Sequence, residues 1–186
     1  MVLASSSPRR LMLLAQIGII PDRVIAPDID ETPVRDETPR LYARRMARAK
    51  AAAVPCPGCF LLAADTVVSV GRRILPKAET ADTVRACLAL LSGRRHHVMT
   101  GVVLTGPDGR STERLAESTV IFNRLTQDQI DRYVEAGEGQ GKAGGYAING
   151  RAAGFVRFLS GSHSGVVGLP LFETAQLLRG FGYSVP

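Results

Sequence analysis

The feature that most constrains the fold is the run CFLLAADTVVSV at 59–70, which is bounded by Gly58 and Gly71. Its hydrophobicity is nearly continuous instead of alternating, which is typical of a β-strand buried on both faces. A membrane span needs roughly 18 apolar residues, and no run in this sequence approaches that length. The run therefore predicts a central strand of a protein core, interrupted by one carboxylate, Asp65.

Helix and strand signals alternate on both sides of this strand. Helix starts are indicated by Ser or Thr caps, helix ends by glycine, and a hairpin by the sequence GPDG between two strand-like runs. Strands and helices that alternate in this way, with one clear hairpin, predict an α/β fold with a mixed sheet. We predict strands over 2–4, 96–105, 111–122 and 153–159, and helices starting at Pro8, running from Thr38 to about Val54 and from Thr80 to Leu91, starting at Thr126, and running from Pro170 to Arg179.

The charge balance favours an anionic partner. Lys and Arg number 23 against 17 Asp and Glu, a net charge of +6. Basic residues occur in pairs instead of long runs, and aromatic residues that would stack bases are not interleaved with them. We therefore expect pockets for a small anion such as a nucleotide, and no stable nucleic-acid partner.

The N-terminal stretch SSSPRR at 5–10 predicts where such an anion binds. Small hydroxyl residues lead from a short strand into a helix whose first backbone N–H groups lack partners and carry a positive dipole end. Arg9 and Arg10 oppose that dipole in the first turn, which favours a bound anion. The alternative is an ordinary helix cap with two solvated arginines.

Asp65 is the second candidate for chemistry. A buried carboxylate without a partner is costly, so we expect Asp65 at a cleft, as a base or a metal ligand. The alternative is a structural carboxylate satisfied by backbone N–H groups or a nearby lysine. Asp30 and Glu31 form a further acidic pair, and a hard divalent cation on phosphates needs one or two such carboxylates.

The lysines are Lys50, Lys77 and Lys142, in a chain whose other basic residues are arginines. A lysine supplies a compact charge suited to phosphates, although each one alone is most often a solvated surface residue. The sequence GQGKAGG resembles a Walker loop but has Ala136 and Ala143 at two required positions, so a P-loop NTPase is rejected.

Cysteine usage and the N-terminus indicate an intracellular protein. Cys56 and Cys59 have metal-ligand or redox spacing, but a second pair is missing, and we expect reduced thiols. Polar residues from Ser5 onward interrupt any signal-peptide core. We expect a cytoplasmic location and no membrane partner.

Several motifs occur together in order along the chain and resemble the Maf family of nucleoside triphosphate pyrophosphatases. They are LASSSPRRLMLLAQIG, DIDET, ARAKA, AADTVV, LSGRRHHVMTGV, GKAGGYAINGRAAGFV and GSHSGVVGLPLFET. The resemblance covers essentially the whole chain and implies one domain over 1–186, with an elongated mixed β-sheet flanked by helices and two lobes around a deep cleft, as in inosine triphosphate pyrophosphatases. It also implies cleavage of the α–β phosphoanhydride of a nucleotide with a divalent cation, Mg²⁺ or Mn²⁺, and it allows a homodimer.

The resemblance also implies roles for individual residues. Asp65 is the expected general base, Lys50 and Lys77 the expected phosphate contacts, and Glu31 and Asp65 the expected metal ligands. Residues implied in substrate binding are Ser5, Ser7 and Arg10 for the triphosphate and Arg9, Thr66 and Asn149 for the base.

Thr66 after Asp65 resembles the branch that acts on dTTP and UTP. Asn149 stands where that branch usually has glutamine and is one methylene shorter. A non-catalytic nucleotide- or nucleic-acid-binding regulator of cell division is the alternative function, in which the same pockets serve recognition only.

Overall fold

The computed structural model describes residues 1–185 as a mixed α/β fold. Its strands are β1 Val2–Ala4, β2 Arg23–Ile25, β3 Leu61–Val70, β4 Arg73–Ile74, β5 Lys77–Ala78, β6 Arg95–Thr105, β7 Ser111–Phe122, β8 Lys142–Ala143 and β9 Val156–Ser160. Its helices are α1 Pro8–Gln16, α2 Pro39–Ala52, α3 Ala81–Leu91, α4 Gln127–Glu135, α5 His163–Val167 and α6 Leu171–Gly180, with a 3₁₀ helix over Arg151–Phe155. None of the helices within 1–185 has the length and hydrophobicity that crossing a bilayer requires.

The main sheet confirms the predicted mixed α/β class. Its strand order is β2-β1-β3-β6-β7-β9, and β4 adds to β3 as a seventh strand. Strands β2, β1 and β3 run parallel to one another, whereas β6, β7 and β9 pair antiparallel. Strands β5 and β8 form a separate two-stranded ribbon.

Most helix starts follow the caps that the sequence predicts. The Thr38 hydroxyl accepts a hydrogen bond from Leu41 N, and Thr126 and Gln129 form a reciprocal capping box. Gly18, with φ at 71°, follows the end of α1 as predicted. Ser7 is the N-cap of α1 but its side chain accepts no capping hydrogen bond, so this helix end keeps its anion-binding character.

Two sequence predictions need correction. The predicted strand over 153–159 begins only at Val156, because a 3₁₀ turn precedes it and buries Ala152 and Phe155 on one side. Cys56 and Cys59 were expected as free thiols, but the structure pairs them in a disulfide with their Cα atoms 5.7 Å apart. The Pro-Gly turn between them, with Gly58 at φ 73°, brings the two side chains together.

One polar row divides the hydrophobic core on both faces of the sheet. On the face that carries Thr66, one apolar cluster includes Leu62 with α1 and α6, and another includes Val68 with α3 and α4. The Thr66–Thr100 pair of neighbouring strands lies between them. On the opposite face, Asp65 lies between two clusters that both pack against α2. The polar row therefore separates the apolar clusters on each face of the sheet.

The edge of β3 explains why the polar row is accessible. Strand β6 pairs with β3 continuously from Leu61 to Ser69. On the other edge, β1 pairs only with 61–63 and β4 only with 69–70. Within residues 1–185, no strand pairs with 64–68 on that edge, and side chains from both faces of β3 line the same opening.

Candidate active site

The cleft at this open edge brings together most residues for which the sequence predicts chemistry, but Ser5 and Asp30 do not line it. Its cavity volume is about 690 Å³. Five basic side chains and two carboxylates line it: Arg9, Arg10, Lys50, Lys77, Lys142, Glu31 and Asp65. All three lysines of the chain thus face one cavity, which gives it a positive field suited to a polyanion.

Asp65 and Lys50 form the centre of the site. The Lys50 ammonium, from the last turn of α2, donates to Asp65 Oδ1 at 2.6 Å. The same nitrogen lies 2.7 Å from Glu31 Oε1. The Lys50 and Asp65 side chains are each 11% exposed, whereas Glu31 is 49% exposed. The Lys50 ammonium therefore bridges the buried carboxylate of Asp65 and the more exposed carboxylate of Glu31.

The protonation of Asp65 depends on two opposing influences. Burial raises the pKa of the Asp65 carboxyl, and the positive charges of Lys50 and Arg10 act to lower it. Both alternatives posed by the sequence hold in part, because Asp65 has a lysine partner and also faces the cleft. Such a carboxylate is suited to accepting a proton from water.

Arg10 supplies a buried positive charge without a carboxylate partner in its hydrogen bonds. Its guanidinium donates to the Gly168 carbonyl oxygen at 2.8 Å, to Ser5 Oγ at 2.9 Å and to Thr66 Oγ1 at 3.4 Å. Burial is the main cause that lowers the pKa of Arg10, and the negative charge of Asp65 raises it. Neutral partners fix the orientation of the guanidinium but leave its charge available to the cleft.

Ser5 and Ser7 have different places. Ser5 is buried behind the cleft surface, where its hydroxyl accepts from Ser7 N at 3.1 Å as well as from Arg10. Ser7 lines the cleft at the N-terminus of α1. The placement differs from the direct triphosphate contact predicted for Ser5, since its hydroxyl is engaged in holding Arg10 and the backbone of Ser7.

Lys77 and Lys142 line the cleft from the β5–β8 ribbon. Lys77 is 62% exposed and lies 3.2 Å from Glu79, which is also exposed. Arg9 lies at the N-terminal end of α1 and donates to the Val167 carbonyl oxygen at 3.4 Å. These cations are held less firmly than Arg10 and Lys50.

Thr66 and Asn149 both line the cleft, as the resemblance implies. The Thr66 hydroxyl lies 3.0 Å from Thr100 Oγ1 and is thereby fixed in the polar row. Asn149 is exposed in the turn that follows Tyr146 and Ile148. Its neighbour Ala147 is held by a 3.0 Å hydrogen bond from its backbone N–H to the Tyr133 hydroxyl.

The donor set fits a divalent cation. Glu31 and Asp65 direct carboxylate oxygens at one position, which the Lys50 ammonium shares. Within 1–185, no cluster of three or more His, Cys, Asp or Glu side chains has metal-binding geometry. Two carboxylates are what Mg²⁺ uses when substrate phosphates supply further oxygens.

Two contributors to the site escaped the sequence analysis. The Gly168 carbonyl orients Arg10, and no side chain marks it in the sequence. The Tyr42 hydroxyl donates to the Glu31 carbonyl oxygen at 2.6 Å, and burial, the largest cause, raises the pKa of Tyr42 to about 12. Tyr42 carries no signal of this role in the sequence, because the loop that it holds has no periodic pattern.

The fold places the chain in the structural class of the Ham1 proteins. The Ham1 protein of Staphylococcus aureus aligns with a TM-score of 0.52 at 17% identity, over 96% of this chain and 97% of that one. A HAM1 protein from Coxiella burnetii gives the same TM-score and identity, over 96% and 98%. At this identity the likeness concerns the fold alone.

The sequence is much closer to a second group. The family described as Maf-like protein matches residues 1–181. A dTTP/UTP pyrophosphatase of Caulobacter vibrioides is 60% identical, over 98% of this chain and 96% of the relative. One from Gluconobacter oxydans is 61% identical, over 97% and 86%. The chain belongs to the Maf family, as the motifs predicted.

Proposed function

We propose that the protein is a nucleoside triphosphate pyrophosphatase that hydrolyses the α–β phosphoanhydride of dTTP, UTP or a modified pyrimidine nucleotide. The observation that carries the proposal is the buried carboxylate of Asp65 facing a cleft lined by five basic side chains. Relatives at 60–61% identity that are named dTTP/UTP pyrophosphatase support the substrate class.

The residues of the cleft have complementary roles in this reaction. Arg10, Ser7 and the backbone N–H groups at the start of α1 bind phosphate oxygens, and Ser5 keeps Arg10 in place. Lys50 and Lys77 neutralise phosphate charge. Asp65 accepts a proton from the attacking water. The hydrogen bond from Lys50 helps to orient the Asp65 carboxylate for this role. Phosphoryl chemistry of this kind requires positioning and charge neutralisation more than covalent help.

Glu31 and Asp65 would hold the divalent cation, Mg²⁺ or Mn²⁺. When bound, the cation neutralises phosphate charge and lowers the pKa of coordinated water. A cation held there would compete with the Lys50 ammonium for the two carboxylates, and Lys50 would then be available to a phosphate oxygen.

Base selection is assigned to Arg9, Thr66 and Asn149. Thr66 is fixed by Thr100, so its methyl and hydroxyl groups present a constant surface to the substrate. Asn149 lies on an exposed turn and offers an amide that can pair with a pyrimidine edge. The shorter side chain of asparagine is compatible with a bulkier or modified base.

The setting of this activity is also part of the proposal. We expect the protein to act in the cytoplasm, alone or as a homodimer, without a stable nucleic-acid partner. The exposed arginines of α2 support the last point, because Arg44 and Arg48 both pair with Glu113 and do not form a free basic track.

Pyrophosphate release from a panel of canonical and modified triphosphates with Mg²⁺ tests the proposal. We expect dTTP or UTP to be preferred over ATP.

Asp65→Asn should lower kcat by about 10³-fold, a typical size for loss of a general base, while nucleotide binding is retained. The exposed control Glu135→Gln should behave as wild type. Full activity of Asp65→Asn, or turnover of purines alone, would refute the assignment, and nucleotide binding without hydrolysis would favour the regulator.

A further inference from the structure

Lys142 is the basic residue of the cleft to which the proposed reaction gives no task. It begins β8, which pairs with β5 so that Lys142 lies opposite Ala78 and Lys77 opposite Ala143. Its side chain is partly buried and lines the cleft. Its ammonium donates to the Gln140 carbonyl oxygen at 3.0 Å, a contact within its own loop.

The charges that surround Lys142 are positive. Burial lowers the pKa of Lys142, and the charges of Arg9 and Lys77 lower it further. No carboxylate of residues 1–185 lies within ion-pair distance of its ammonium. Neighbouring cations repel one another, so this arrangement becomes favourable when a multiply charged anion lies among them.

The loop that follows Lys142 fixes the backbone at this position. Gly144 has φ at 67°, and a Cβ atom there would lie 2.8 Å from the Val68 side chain on β3. A Cβ on Gly145 would lie 3.1 Å from Cys87 on α3. Gly144 N also donates to the Pro76 carbonyl oxygen at 3.0 Å. Because glycine permits these close approaches, the loop is packed against the strand that carries Asp65.

We propose that Lys142, together with Lys77, binds the pyrophosphate half of the substrate, and that Lys142 stabilises it as the leaving group. This inference rests on the proposed function. Lys50 and Arg10 lie near Asp65, where water attacks. Lys142 lies on the β5–β8 ribbon instead, where the charges that act on it are those of Arg9 and Lys77.

The reaction explains why a positively charged side chain is needed beside the pyrophosphate half of the substrate. A water oxygen forms a bond to the α-phosphorus, and the proton of the water passes to Asp65. The bond between the α-phosphorus and the bridging oxygen breaks, and its electron pair stays on that oxygen of pyrophosphate. Negative charge therefore grows on the departing group in the transition state, and a fixed ammonium close to it lowers the barrier.

Calorimetric titration of inorganic pyrophosphate into the full chain in magnesium buffer tests the assignment. We expect Lys142→Met to raise the Kd for pyrophosphate by about tenfold, the loss typical of one charge-assisted hydrogen bond. Lys142→Arg should stay within about threefold of wild type, and affinity for UMP should change by less than about twofold in both variants. Arg157→Met is the matched control, since it removes one exposed positive charge outside the cleft.

An unchanged pyrophosphate Kd in folded Lys142→Met would overturn the inference. So would an equal loss of UMP affinity, or the same loss in Arg157→Met. The proposed function is judged separately, since wild-type protein that releases no pyrophosphate from any triphosphate would refute it. The pyrophosphate titration still decides whether Lys142 binds this anion.

Discussion

The two walls of the cleft hold their positive charges in different ways. On the wall formed by α1 and α2, Arg10 has three neutral partners and Lys50 has two carboxylates. On the wall formed by the β5–β8 ribbon, Lys77 has one exposed partner and Lys142 has a carbonyl. The first wall is organised before substrate arrives, whereas the second becomes fully paired only with an anion present.

This difference separates two contributions to catalysis. A group already fixed in the free protein acts in the transition state without further ordering, so its removal lowers kcat and also stability. A group on a flexible, solvated side chain mainly adds binding energy, so its removal raises KM and leaves stability nearly unchanged. Variants on each wall should therefore differ in both activity and unfolding.

The largest effect is expected for Arg10→Met on the first wall. Its removal should lower kcat/KM by about 10³-fold, because a preorganised phosphate donor is lost. The Gly168 carbonyl and the Ser5 hydroxyl also lose a buried donor, which should cost about 2–4 kcal/mol in unfolding free energy. Steady-state kinetics and urea unfolding measure both quantities.

Arg10→Lys is the matched variant, because it keeps the charge but not the branched hydrogen bonds. It should recover part of the activity and less of the stability. Activity of Arg10→Met within tenfold of wild type would contradict the view that the first wall is preorganised.

The second prediction concerns His96, which contacts Tyr146 of the cleft lining. His96 is fully buried and its Nε2 lies 2.9 Å from the Tyr146 hydroxyl. Burial, the largest cause, and the nearby His97 lower the pKa of His96 to about 4. The unfolded chain, with a pKa near 6.5, binds a proton first as pH falls. Stability should therefore be constant above about pH 6.5 and fall by about 3 kcal/mol between pH 6.5 and 4.

His96→Gln keeps a polar partner for Tyr146 and does not titrate. Urea unfolding from pH 4 to 7.5 should show a shallower loss of stability in this variant than in wild type. The values at pH 7.5, where His96 is neutral in both states, serve as the internal reference. Parallel curves for the two proteins would rule out His96 as a source of acid lability.

The smallest effect is expected for Lys77→Met on the second wall. We expect KM to rise by about tenfold with little change in kcat, as for loss of one phosphate contact. The melting temperature should stay within about 1 °C of wild type, because an exposed ion pair contributes little to stability. A fall in stability comparable to that of Arg10→Met would erase the distinction between the walls.

The sequence predicted those parts of the fold that local rules determine. The apolar run at 59–70, the capping box at Thr126 and the GPDG hairpin each depend on residues close in sequence, and the structure confirms them. Asp65 was identified because a carboxylate is anomalous within such a run. The three lysines were singled out because every other Lys or Arg of the chain is an arginine, and the structure places all three in one cavity.

Features that depend on distant contacts could not be read in this way. The ribbon strands β5 and β8 have two residues each, too few to show a period, and they exist because they pair with each other. The Gly168 carbonyl has no side-chain signal. The hydroxyl of Ser5 resembled a phosphate contact, but Arg10 engages it in the folded chain. In each case the deciding partner lies elsewhere in the sequence.

The unpaired edge of β3 has a consequence for redesign. Asp65 and Thr66 are consecutive residues of a strand that pairs with β6 from Leu61 to Ser69, so strand geometry fixes their separation. The turn that bears Asn149 belongs to a different part of the chain, and we expect that it can be exchanged without moving Asp65 and Thr66. New nucleobase preferences should therefore be obtainable by grafting that turn while the hydrolytic machinery stays intact.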